Sequence, residues 1–175
     1  MEELNYNKDK LRSILVKENL LNIDQKIIYN IIIKAFNNKI NQIVFFVNSF
    51  KGYRKTFLFN IILAKVRLDY EIAITVALSE IVALLLEGKR TAYLRFKIPI
   101  KLTETLMLNI SQQSKLAYLI YIIKLIIWDE VLMVYKFTFE AVDKIFKDIM
   151  QINKPFRCII FVIDGNFRQI LPVVI

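Results

Sequence analysis

The sequence reads as an α/β domain, a parallel sheet flanked by helices. Three observations point there. Short runs of β-branched and aromatic residues recur along the chain, helical stretches with apolar spacing alternate with them, and no repeat, low-complexity tract or Gly/Ser linker interrupts the pattern. Alternating strands and helices favour a parallel sheet wrapped by helices, with functional groups at the C-terminal ends of the strands.

Taken in order, Asn22 or Asp24 caps a helix over Gln25 to Phe36, where Ile27, Ile28, Ile31, Ile32 and Ala35 share one face. Asn37-Asn38 ends it. Ile43 to Val47 reads as a strand buried on both faces. A polar loop leads to a helix over Lys55 to about Arg67, then a strand over Glu71 to Ala77 and a helix over Ser79 to Leu86. Leu116 to Ile123 reads as helix, Lys124 to Trp128 as strand, Phe137 to Met150 as helix and Cys158 to Ile163 as strand. Function is therefore expected just after Val47, Trp128 and Ile163.

The composition bounds the class. At 175 residues the chain is long enough for one domain with a real core. Its 25 Lys+Arg against 16 Asp+Glu leave a net charge of +9, which suits an anionic partner. Hydrophobic residues make up 56%, yet the longest stretch without a charge, Ile40 to Phe50, is eleven residues. About 18 to 20 are needed to cross a bilayer, so no membrane span is expected. The charged N-terminus lacks the apolar run of a signal peptide. A lone Cys158 and no histidine argue against disulfides and the usual zinc sites and suit a reducing compartment. Only 3 Gly and 3 Pro are present, where average usage gives roughly 20 together.

Two motifs carry chemistry. Asn48-Ser-Phe-Lys-Gly-Tyr-Arg-Lys55-Thr56 joins a buried strand to an apolar helix. In a phosphate-binding loop the Lys reaches the terminal phosphates, the Thr hydroxyl holds Mg²⁺ and the helix N-terminus favours the anion. The full pattern is not met, because Ser49 and Arg54 stand where glycine is expected, and a solvated helix start is the competing reading. The strand ending at Trp128 delivers Asp129-Glu130, a pair suited to Mg²⁺ coordination by the first and water activation by the second. An ordinary acidic loop is the alternative.

Leu21-Asn-Ile-Asp-Gln25, Arg90-Thr-Ala-Tyr-Leu-Arg-Phe-Lys-Ile-Pro99, Leu125-Ile-Ile-Trp-Asp-Glu130 and Asn166-Phe-Arg-Gln-Ile-Leu-Pro-Val173 resemble the motifs of the Pif-type (petite integration frequency) DNA helicases, most closely the branch carried by Helitron transposons. The likeness runs from about Leu21 to Val174, leaving residues 1–20 as an N-terminal extension and 21–175 as the motor domain. It implies a RecA-like P-loop NTPase fold and an ATP-dependent 5′ to 3′ helicase acting on single-stranded or duplex DNA. DNA repair, recombination and telomere maintenance, in the nucleus, are the processes implied. By the same resemblance Gln25 reads the adenine, Gly52 and Lys55 belong to the phosphate loop, and Thr56 with Asp129 holds Mg²⁺. Glu130 is the catalytic base, Gln169 senses the γ-phosphate, and Arg95 and Phe96 meet the DNA, where an aromatic face can stack on a base. Core packing is the equal alternative for Phe96. A second motor domain, which this sequence does not contain, supplies an arginine to the ATP, so unwinding by this chain alone is not expected.

The sequence departs from that family where backbone freedom matters. Only Gly52 survives in the phosphate loop, with Ser49, Lys51 and Arg54 at other glycine positions. A Cβ in a left-handed conformation costs about 1 to 2 kcal/mol. Asn48 and Asn166 stand for aspartate, Glu80 and Asp164 for glycine, Tyr93 for histidine, Leu94 for serine, Val82 for alanine and Leu132 for proline. Each of these, like Ser49 and Arg54, is one C-to-T or G-to-A change from its counterpart, as expected of a transposon copy decayed by cytosine deamination or repeat-directed mutation; a long-standing AT-rich genome with a working enzyme is the alternative. The reading is thus an impaired helicase motor domain. The competing ones are a non-catalytic DNA-binding remnant and an inert reading frame.

Overall fold

In the computed structural model, which describes residues 6–38, 44–48, 52–77, 90–98, 111, 113–134, 136–151, 156 and 159–165, the sheet follows the alternation of the sequence. Strands Val44–Asn48 (β1), Ile72–Ala77 (β2), Arg90–Thr91 (β3), Ile123–Trp128 (β4) and Ile160–Gly165 (β5) pair in parallel in the order β1-β5-β4-β2-β3. β2 and β5 are buried along their whole length, as strands covered on both faces must be.

Period-two alternation divides the core into two halves. Leu125 and Ile127 of β4 and Ile160 and Val162 of β5 pack with the helices Ile23–Asn38 (α2) and Lys55–Leu68 (α3). Ile126, Trp128, Phe161 and Ile163 face the other way, onto Ala92–Phe96 (α4), Lys115–Ile122 (α5) and Lys136–Met150 (α6). A chain of aromatic contacts runs through this second half, from Phe96 against Trp128 and Phe146 to Phe161 and Phe156.

Ahead of these lie the helix Lys8–Leu15 (α1) and a 3₁₀ turn over Val16–Leu20. Leu11 is buried, and Ile14 and Leu15 pack on the cluster around α3. The Tyr6 hydroxyl donates to the Ala73 carbonyl at 3.3 Å, and Arg67 donates to the same oxygen through Nε and an Nη at 3.1 and 2.9 Å. That carbonyl sits where the β2–β4 register shifts.

The predicted strands and helices appear close to their expected bounds, but β1 is not buried on both faces as expected: it ends the strand order, Val47 is buried and Phe46 is 42% exposed. The choice of cap at α2 resolves to Asn22, whose side chain accepts from the Gln25 N–H at 2.8 Å while the Gln25 side chain accepts from the Asn22 N–H at 3.1 Å. This is a capping box. β4 begins one residue early, at Ile123, because the backbone turns extended there and ends α5. The helix expected over Ser79 to Leu86 lies outside the described residues. α1, α4 and β3 were not legible: they are short, and strong apolar periodicity needs more turns than they contain.

Candidate nucleotide site

The strand register decides which side chains meet. Trp128 and Ile163 pair across β4 and β5 and share the α6 side of the sheet. Their successors Asp129 and Asp164 therefore turn to the α3 side at the C-terminal edge. Val47 pairs with Asp164 and points the same way. The first residue of α3, Lys55, lies over this edge, and its Nζ donates to Asp164 Oδ2 at 2.6 Å. The ion pair spans 109 positions of sequence. The Asp129 N–H donates to the Val76 carbonyl at 3.0 Å, extending the β2–β4 ladder and fixing where the acidic pair leaves the sheet. Glu130 follows in the left-handed conformation, φ 56°.

The loop before α3 keeps Gly52 at φ 96°, with open space where a Cβ would stand. Arg54, at the N-cap, is left-handed at φ 52°, ψ 40°, and no side chain caps the helix. An uncapped first turn presents N–H groups and the positive end of the helix dipole. Thr56 is exposed on that turn. Beside it opens a cleft of about 340 Å³ lined by Leu20, Asn22, Gln25, Gly52, Tyr53, Arg54 and Phe57. Gln25 is buried and donates through Nε2 to the Tyr53 carbonyl at 2.8 Å, so one side chain ties the start of α2 to the phosphate loop.

The structure thus brings Lys55, Asp129 and Asp164 together, with Glu130 next along the chain, and places Gln25, Gly52 and Thr56 around the start of α3. Ser49, Lys51, Asn166 and Gln169 lie outside the described residues. Arg95 and Phe96, expected to meet DNA, are both buried, and the Phe96 ring sits 5.8 Å from Phe146 and 6.3 Å from Trp128. α4 lays the Phe96 side chain into the core. Asp164 is the site residue that sequence reasoning missed. It is a lone charge ending an apolar strand at the edge where function was expected, and that was its available signal.

The decisive comparison is with protein families, where residues 20–175 match the PIF1-like helicases. The chain belongs to the PIF1-like helicase family. Its fold is that of the family's solved structures. Unliganded Pif1 from Bacteroides sp is 24% identical with a TM-score of 0.66, the match covering 89% of this chain and 33% of that one. Pif1 from Candida albicans is 23% identical with a TM-score of 0.72, over 88% of this chain and 34% of that one. Bacteroides Pif1 in complex with ADP-AlF3 and ssDNA is 22% identical with a TM-score of 0.66, over 89% and 34%. The chain therefore spans about a third of the length of these relatives. No curated protein matches it. No described helix is long and apolar enough to cross a membrane.

Proposed function

We propose that this PIF1-like chain is the first motor domain of an ATP-dependent 5′ to 3′ DNA helicase of the Helitron-transposon branch, with nucleotide turnover impaired by its altered phosphate loop. The observation that carries the reading is the meeting of Lys55 with the acidic ends of β4 and β5 at one sheet edge, below an uncapped helix start. In this reading Lys55 and the first turn of α3, with Gly52, take the phosphates. Hydroxyl and carboxylate oxygens are the donors Mg²⁺ prefers, so Thr56 and Asp129 fit it, with water and phosphate completing its shell. Glu130 acts as base, Gln169 contacts the γ-phosphate, and Gln25 with Leu20 and Phe57 receives the adenine in the adjoining cleft. Solved Pif1 relatives bound to an ADP-AlF3 complex and ssDNA support this assignment.

The impairment follows from Arg54, whose left-handed backbone carries a Cβ and a long side chain beside the cleft. Calorimetry with Mg-ATP tests the reading on the full chain and on a Ser49→Gly, Lys51→Gly, Arg54→Gly variant. Binding by the variant that is lost on adding Lys55→Ala is the expected result. A variant that binds no nucleotide even after Asp164→Asn is added overturns the reading. The alternative, a non-catalytic DNA-binding remnant using the net charge of +9, is favoured by Arg54, which lines the cleft with a left-handed backbone where a phosphate loop needs glycine. Salt-dependent DNA binding that ignores nucleotide in every variant would select it.

A further inference from the structure

The Asp164 side chain is completely enclosed at the sheet edge, at 0% exposure. A buried charge persists only when paired. Its Oδ2 has the Lys55 ammonium, itself only 22% exposed, and its Oδ1 is buried with no hydrogen-bond partner. Among the described residues, Lys55 is the cation that this carboxylate holds.

We propose that Asp164 acts as an internal stand-in for phosphate: its carboxylate occupies the Lys55 ammonium and competes with a nucleoside triphosphate for the same cation. This rests on the nucleotide-site reading above. Two effects then act in one direction. A phosphate that draws Lys55 away leaves the enclosed carboxylate uncompensated, which is strongly unfavourable. The same carboxylate, beside Asp129, also repels the incoming anion. The domain masks its own phosphate site, and Asp164 sets how much nucleotide opens it.

Asp164→Asn removes the charge at nearly constant volume and tests the proposal in two ways. Mg-ATP affinity is measured for the full chain and for the three-glycine variant, each with and without Asp164→Asn. In parallel, amine-selective labelling with peptide mapping follows Lys55 without nucleotide. The proposal expects Asp164→Asn to tighten Mg-ATP binding by about ten- to a hundredfold, the scale of one lost charged hydrogen bond, and to speed labelling of Lys55 but not of Lys65. Equal affinity with and without Asp164→Asn in a variant that does bind overturns the proposal and leaves the nucleotide reading intact. Unchanged labelling of Lys55 also overturns it. Absence of binding in all four proteins defeats the nucleotide reading itself, and this proposal with it.

Discussion

Single residues decide where this backbone is strained and where it is crowded. Arg54 holds φ 52° without a side-chain cap to reward it, whereas glycine adopts that region freely. Arg54→Gly should therefore raise stability by about 1 kcal/mol, read as a higher urea midpoint at unchanged slope. No gain would mean that glycine's greater backbone freedom in the unfolded chain cancels the relief. Gly165 shows the opposite constraint. A Cβ there would lie 2.4 Å from Leu132 Cγ and 2.6 Å from its Cδ1, so Gly165→Ala should cost about 1–3 kcal/mol as an overpacked contact. Adding Leu132→Ala should recover much of that loss, and a double-mutant cycle measures the coupling. Arg54 was legible as a problem from the sequence, since glycine was expected there. The crowding at Gly165 was not, because it depends on Leu132 crossing over the end of β5.

Among the elements, the start of α2 is where fold and site are joined. The Asn22–Gln25 capping box satisfies two otherwise orphaned N–H groups, and Gln25 Nε2 reaches on to the Tyr53 carbonyl. Just before it, Glu18 pairs with Lys26 and accepts from the Tyr29 hydroxyl at 2.9 Å. Partial burial pushes the Glu18 carboxyl up, but the hydrogen bonds from Lys26 and Tyr29 outweigh it and hold it below the ordinary value of 4.5. Because the folded state lowers this value, the pair's contribution is full above pH 4.5 and is lost as pH falls through the lowered folded value. Thermal melts should show a steeper fall in midpoint through this acidic range for the native chain than for Glu18→Gln. Parallel slopes would show that the pair carries no such linkage. The helix itself was readable from its apolar spacing, and Gln25 was singled out by resemblance. Its double duty as cap and loop tether was hidden, because the tether runs to a backbone carbonyl 28 residues away.

At the scale of the whole molecule, the alternation of apolar runs specified the sheet because β2, β5 and all of β4 but Lys124 are buried, whereas β1 reads just as apolar and yet leaves Phe46 exposed. What the sequence hid was the pairing across the sheet edge. Lys55 and Asp164 are each readable alone, yet only the order β1-β5-β4 sets β5 next to the strand that feeds α3. The first twenty residues were equally obscure. Read as an extension, they supply α1 and the 3₁₀ turn, which lie on the α3 side of the sheet. Leu11 is 7% exposed, and burying one such side chain contributes about 1.5–3 kcal/mol. Tyr6 adds its bond to the Ala73 carbonyl, and Glu18 its bonds to Lys26 and Tyr29. Deleting residues 1–20 should therefore destabilise the domain by at least about 2 kcal/mol, seen as an earlier urea midpoint. It should also raise hydrogen exchange along α3, since that helix loses its cover. Because α3 begins with Lys55, the loosening would reach the candidate site through the helix that carries its cation. A truncated chain with the midpoint and α3 protection of the full one would show that the segment is indeed an appendage and that the motor fold begins after it.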